Sequence, residues 1–492
     1  MFNKILIANR GEIAVRIERT CQELGIRTVA LYEAADQGSL HVRLADECVL
    51  LETRDGFVNT ETILRIAREK GADAVHPGYG FLAEEAAFIR ACQAAGLTFI
   101  GPPPEVVAPA RDKLTALERV RAAGFSTPEH SPRSYGLGEL AALKAETERI
   151  GYPLTIKSLY GGRGRGERMV PGPERLEKAL HRAQSEALVI YGSRSVFLER
   201  SILPAHQVAV QIVADAHGNM IHLGEREGSL LQGNQKLVEE SPSPALTPAQ
   251  RAELWRTALE IARLFNYQGI GTVEFLLDRD GRFYFTEIKS RIQMDAPLAE
   301  MVSRRDLVRE QIRIAAGEPL GITQEDVHLQ GWAMQAHLRA EDPAANFMPA
   351  PGRLRRVRLP SGPEVRVDTY VYSGCDVPPQ YDPLIAKMVT WGAGREECRG
   401  RMARLLDEIK LTGTPTNVAR LQQIVRDPAF QRGEYDTTFL ERAIVEEAEA
   451  DTRLRDLAIA GAIFYARANQ IPQPSLPERL RTGWHRDSRR LS

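Results

Sequence analysis

Phe285-Thr-Glu-Ile-Lys-Ser-Arg-Ile-Gln-Met-Asp-Ala-Pro297 carries an apolar, strand-like start and then a charged turn that ends at a proline. Just upstream, Gly271-Thr-Val-Glu-Phe-Leu-Leu277 puts a second acid, Glu274, on another apolar run, and Asp278-Arg-Asp-Gly281 between them reads as a hairpin turn. Two carboxylates, Glu274 and Glu287, facing one cleft suit Mg²⁺ bridging nucleotide phosphates, with Mn²⁺ able to substitute. An ordinary hairpin with outward-facing acids fits the pair equally well. The order of motifs along the rest of the chain decides between the two.

At the start, Lys4-Ile-Leu-Ile-Ala-Asn-Arg-Gly-Glu-Ile-Ala-Val-Arg16 reads as a buried strand, a glycine-bearing turn and a helix, the opening of a βαβ unit. Gly11 alone says little about ligands, because strand-to-helix turns use glycine for backbone reasons. Arg27-Thr-Val-Ala-Leu-Tyr32, Ala74-Val-His-Pro-Gly-Tyr-Gly-Phe-Leu82 and Leu97-Thr-Phe-Ile-Gly-Pro102 follow as strand-like runs separated by helical patterns. This alternation predicts a parallel, helix-covered sheet.

Different chemistry comes next. Lys113 opens a helix, Lys157 ends the strand-like Tyr152-Pro-Leu-Thr-Ile-Lys157, and Tyr160-Gly-Gly-Arg-Gly-Arg-Gly166 supplies Gly161, Gly162, Gly164 and Gly166. Such a loop can fold its N–H groups over phosphate oxygens while a lysine adds a point charge; it can equally be a surface hairpin. Val196-Phe-Leu-Glu199 ends a strand, and Lys236 with Glu239 and Glu240 reads as a polar loop running into Ser-Pro-Ser-Pro.

Together these motifs resemble the biotin carboxylases, the ATP-grasp component of biotin-dependent carboxylases, in order and spacing over residues 1 to 445. The carriers are residues 7–14, His76 to Leu82, Asp112-Lys113, Ile150 to Pro153, Gln235-Lys236 with Glu239-Glu240, Glu274-Phe275, Arg291-Ile-Gln293, Ala340 to Pro343, and Tyr381-Asp-Pro383 with Lys387. The resemblance implies an α/β protein: an N-terminal parallel α/β domain (1–113), an ATP-grasp domain (114–320) with a mobile lid (about 132–202), and a C-terminal β-containing domain (321–445). A helical extension (446–492) would follow. It also implies that ATP phosphorylates bicarbonate to carboxyphosphate and that the carboxyl group passes to carrier-linked biotin. By this resemblance Lys113, Lys157 and the glycine loop hold ATP phosphates, Glu199 and Gln207 lie near the nucleotide, and Glu274 and Glu287 bind the metal. Lys236 meets the reacting phosphate, and Arg291 binds bicarbonate.

The departures fall in the catalytic shell. Lys289 stands where the family has asparagine, and an ammonium there either repels Mg²⁺ or replaces one cation. Asp295 stands for the glutamate base, keeping the carboxylate but shortening its reach. Ala296 follows where the family has histidine. His337 replaces an arginine at the biotin enolate, with Arg339 as a neighbouring substitute, and Gln207 replaces a histidine. Tyr160 and Arg163 occupy glycine positions of the lid loop, and Glu167 replaces a methionine. An active enzyme that has diverged, an impaired homologue kept for assembly or regulation, and an ATP-grasp ligase with a changed acceptor all fit these exchanges.

Composition agrees with an enzyme of this size. The 492 residues carry 64 basic and 65 acidic side chains, net −1, which gives no polyanion-binding signature and argues against nucleic acid. Arg353-Leu-Arg-Arg-Val-Arg358 reads as a solvated strand face. Five scattered cysteines without CxxC spacing predict a reduced, cytoplasmic protein, and no apolar run reaches membrane-spanning length. His76 reads as structural. No Ala-Met-Lys-Met-type biotinylation site occurs, so the expected partners are a separate biotin carboxyl carrier protein and carboxyltransferase subunits. Leu454 to Tyr465 reads as an amphipathic helix. Arg19, Glu23 and Arg366 match polar residues of the family's dimer contact, where Pro363 replaces an aromatic; a homodimer or a heteromer with an active paralogue follows as the expectation.

Overall fold

Ile5, Leu6 and Ile7 are fully buried, as expected of a strand covered by helices on both faces. In the computed structural model, which describes residues 1–53, 55–160, 167–233, 235–441 and 459–465, Lys4–Ile7 pairs in parallel with Arg27–Tyr32 and Ala74–His76. Glu47–Leu50 and Thr98–Phe99 complete a five-stranded parallel sheet. The chain leaves the first strand through Gly11, whose φ of +66° favours glycine, into the helix Gly11–Glu23. Asn9 ties the two loops at the carboxyl ends of the central strands by donating to the carbonyls of Pro77 and Tyr79 at 2.7 and 2.8 Å. His76 is structural: its Nδ1 accepts from the Gly78 N–H at 3.1 Å, and burial lowers its pKa to about 3.

The second sheet has eight strands, every neighbouring pair antiparallel, and spans from Phe283–Lys289 at one edge to Val365–Thr369 at the other. It joins the strands of the central region to Trp332–Arg339 and Leu384–Gly392, so the boundary expected near residue 320 crosses a continuous sheet. Between these sheets in sequence, Leu154–Ser158 sits between Arg168–Val170 and Val196–Arg200 in a three-stranded antiparallel sheet. Leu143, Ile150, Leu154, Ile156 and Leu198 give this small layer its own core.

The structure corrects the reading of Lys236. It lies on a strand, Gln235–Ser241, hydrogen-bonded on both sides, rather than in a polar loop. The charges that disguise the strand are each met by distant partners: Glu240 accepts from Arg395 at 2.8 and 2.9 Å, from Trp332 at 2.5 Å and from Tyr435 at 2.6 Å. Burial is tolerated because these groups are paired.

Residues Met1–Thr438 make up one compact unit, and Phe439–Ser492 a second. In the second, 459–465 is helical with exposed side chains, while 454–458 of the expected amphipathic helix lie outside the described residues. Among the described residues no helix is long and apolar enough to cross a membrane. Arg353, Arg356 and Arg358 are exposed, as a solvated face requires.

Candidate active site

The strands Gly269–Leu277 and Phe283–Lys289 pair so that Glu274 stands directly opposite Glu287. The turn between them is held by Asp278, whose Oδ1 accepts from the N–H groups of Asp280 and Arg282 at 2.9 Å each. Opposed like charges destabilise a sheet, so this pair needs compensation. Lys113 at the start of its helix and Lys289 on the strand itself bring their ammonium groups to the same oxygen, Glu287 Oε2, at 2.7 and 2.6 Å. Gln293 donates to Glu274 Oε1 at 2.8 Å. The two acids diverge as a result. Burial and the neighbouring Glu287 push Glu274 up, despite Lys289 and Lys236. Burial alone would also raise Glu287, but Lys113 and Lys289 outweigh it and hold that carboxylate well below its usual range.

A second group adjoins the first. Lys236 Nζ donates to Glu239 Oε1 at 2.7 Å and to Asp295 Oδ2 at 3.1 Å. The guanidinium of Arg226, buried mid-strand, forms an ion pair with Asp295 Oδ1 at 2.7 Å and also donates to Thr272 Oγ1 at 2.9 Å and to Gln293. Asp295 occupies the position before the helix Ala296–Ser303, where an aspartate ordinarily caps, yet it makes no capping bond. Its carboxylate is turned to Arg226 and Lys236 instead. Burial raises its pKa, but these two cations reverse the effect and leave it below the ordinary aspartate range.

His337 and Arg339 are two residues apart on Trp332–Arg339 and line the same cleft. His337 Nε2 lies 2.9 Å from Glu239 Oε2, and Arg339 Nη1 lies 2.8 Å from Asp382 Oδ1. Arg291 Nε donates to Glu84 Oε2 at 2.9 Å. The cleft measures about 620 Å³ and is lined by Lys113, Gln207, Lys236, Glu274, Glu287 and Asp295, among others. A second cleft of about 610 Å³ shares Tyr79, Lys113, Glu287, Lys289 and Arg291 with it.

Among the described residues, not every expected one lines this space. Lys157 and Glu199 sit on neighbouring strands of the three-stranded layer and pair with each other at 2.5 Å, outside both cleft linings. Gly161, Gly162, Gly164 and Gly166 lie outside the described residues. Arg366 is engaged by Glu300 at 2.6 Å and Asp368 at 2.7 Å, and Glu23 by Arg309 at 3.0 Å, so two of the expected dimer-contact residues already have partners within the chain. Arg226 and Glu84 were missed from sequence. For Arg226 a signal exists in Gly224-Glu-Arg-Glu-Gly228, three consecutive charges inside a long strand, which only pairing can make stable.

The residues fit a divalent cation. Glu274 is held reluctant to ionise by burial and by Glu287, so an added positive charge between the two acids is favourable. Among the described residues no three His, Cys, Asp or Glu side chains gather as a metal site, so oxygens from water or phosphate would complete the shell.

The same architecture recurs in known proteins. Residues 1–107 match the biotin carboxylase N-terminal domain, residues 112–323 the ATP-binding domain of the carbamoyl-phosphate synthase L chain, and residues 335–442 the biotin carboxylase C-terminal domain. A biotin carboxylase from a Nostoc species is 45% identical over 444 residues, covering 89% of this chain and 99% of that one. Biotin carboxylase 1 of Bacillus subtilis is 42% identical over 446 residues, 90% of this chain and 98% of its own. Among solved structures, the biotin carboxylase domain dimer of Hydrogenobacter thermophilus 2-oxoglutarate carboxylase, bound to MgADP, ADP and bicarbonate, superposes with a TM-score of 0.87 at 39% identity, covering 90% of this chain and 98% of that one. With both ends of the family's module matched in sequence and the α/β architecture matched in space, the chain belongs to the biotin carboxylase family.

Proposed function

We propose that this chain is the ATP-dependent biotin carboxylase subunit of a biotin-dependent carboxylase, working with a separate biotin carboxyl carrier protein and with carboxyltransferase subunits. The observation that carries the reading is the convergence of Lys113, Lys236, Lys289 and Arg291 with the opposed acids Glu274 and Glu287 around one cleft, with Arg226 paired to Asp295 of its lining. Phosphoryl transfer needs little covalent help from a protein and much positive charge at fixed points, which this arrangement supplies.

Bicarbonate is a poor electrophile, so its oxygen first attacks the γ-phosphorus of ATP and ADP leaves. The resulting carboxyphosphate then breaks to CO₂ and phosphate beside the ureido nitrogen of biotin, which gives its proton to that phosphate and takes up the CO₂. Lys113 and Lys157 exchange their carboxylate partners for ATP phosphates, with Glu199 and Gln207 at the nucleotide. Glu274 and Glu287 would hold a divalent ion, which would supply charge against the phosphate oxygens. Arg291, oriented by Glu84, holds bicarbonate, and His337 with Arg339 faces the biotin side.

Asp295 takes the bicarbonate proton, and the pairing of its carboxylate ties that step to ATP binding. While Lys236 and Arg226 both hold it, Asp295 is a weak base. When Lys236 turns to the reacting phosphate, one of those cations leaves and the basicity of Asp295 rises.

The test is ADP release by the full chain with Mg-ATP, with and without bicarbonate and a biotinylated carrier. Turnover that needs bicarbonate and rises with the carrier is expected. Nucleotide binding with no bicarbonate-dependent turnover under any carrier condition would overturn the reading in favour of an assembly or regulatory subunit. A homodimer, as in the Hydrogenobacter thermophilus relative, is part of the proposal, and sedimentation of the purified chain tests it.

A further inference from the structure

Lys289 has no step of its own in the reaction just described. It is 8% exposed, it sits on a strand rather than at the end of a mobile loop, and its ammonium lies 2.6 Å from Glu287 Oε2. Residues two apart on a strand share a face, so Lys289 and Glu287 point the same way, and both line each of the two clefts. Lys113 occupies the same carboxylate oxygen at 2.7 Å. Two divalent ions held by an opposed carboxylate pair would draw on oxygens of both acids at once. Here one of the two oxygens of Glu287 is already met by two ammonium groups, and a divalent ion placed there would face both positive charges at close range. What remains is the other Glu287 oxygen together with Glu274, which stands directly opposite it on the neighbouring strand.

An ammonium carries three N–H donors, and the pairing with Glu287 leaves others to meet a phosphate oxygen in the cleft. We propose that Lys289 is a fixed cation standing where a second divalent ion would bind, so that this chain holds ATP with one divalent ion and one lysine instead of two ions. The proposal rests on the nucleotide-site reading above. It gives Lys289 a positive role in holding the phosphates.

The experiment counts Mn²⁺ bound per full-length chain by electron paramagnetic resonance at a saturating non-hydrolysable ATP analogue, alongside calorimetric titration of the same analogue in EDTA. The wild type should bind one Mn²⁺ per chain, Lys289→Asn two, and Lys289→Arg one. Without metal, Lys289→Asn should bind the analogue about tenfold more weakly, as expected for losing one charge-assisted contact. Two Mn²⁺ on the wild type overturns the proposal and leaves the nucleotide site standing; this count does not depend on any variant folding. A single ion on Lys289→Asn with unchanged metal-free affinity also overturns it. Failure of the wild type to bind the analogue, with or without Mn²⁺, overturns the nucleotide-site reading and this inference with it.

Discussion

Replacing Arg226 with methionine removes the cation that turns Asp295 away from its helix. Both partners are almost fully enclosed, the arginine 2% and the aspartate side chain 5% exposed, and their charged atoms are 2.7 Å apart. The substitution also removes the bonds to Thr272 and Gln293. Breaking a buried pair by deleting one member typically costs about 3–5 kcal/mol, because the other charge stays buried. For the unit Met1–Thr438, about 2.1 cal/mol/K of unfolding entropy per residue amounts to roughly 0.9 kcal/mol/K, so the expected fall in Tm is about 3–5 °C. Adding Asp295→Asn to the same chain removes the stranded charge and should recover about half of that loss. The pH dependence has a definite sign. Asp295 has a depressed folded pKa, so its pairing contributes fully above the unfolded aspartate value of about 3.9 and is lost as pH falls below it. The penalty of Arg226→Met should therefore be full at pH 7 and shrink towards pH 3. Thermal unfolding followed by tryptophan fluorescence across this range measures it. A Tm change under 1 °C, or a double variant less stable than Arg226→Met alone, would refute the claim that Asp295 is held chiefly by this pair.

Two further outcomes follow from other parts of the molecule. Lys236→Met should lower bicarbonate-dependent ADP formation about 10²–10³-fold while leaving ATP binding within about threefold, since the lysine is assigned to the reacting phosphate; equal losses in binding and turnover, from titration and steady-state kinetics, would contradict that assignment. Glu18 is buried with neither carboxylate oxygen hydrogen-bonded, and its pKa is pushed up to about 9 by burial and by Asp46 against the opposing charge of Arg19. A carboxyl group with a raised folded pKa costs stability as pH climbs from its unfolded value towards 9, so Glu18→Gln should raise Tm by about 1–3 °C at pH 8 and change it little at pH 4.5. A stabilisation that is the same at both pH values would show that ionisation is not the cause.

The sequence by itself determined the elements and their order. The apolar run Lys4–Ile7, the glycine at position 11 and the hairpin turn at Asp278 act through local hydrophobicity and backbone freedom, which can be read a few residues at a time. The identity of most charged groups around the cleft was legible too, because their motifs keep a recognisable spacing. What only the tertiary structure decided was which charge meets which. Lys113 and Glu287 are 174 residues apart, Lys236 and Asp295 are 59, and Lys236 reads as a loop residue until the strands on either side of it are in place. Lys157 and Glu199, both expected at the nucleotide, form an ion pair with each other. Electrostatic energy depends on separation in space and on burial, and neither follows from sequence spacing. The same carboxylate at Asp295 can cap a helix or hold two cations, and only the fold selects between them.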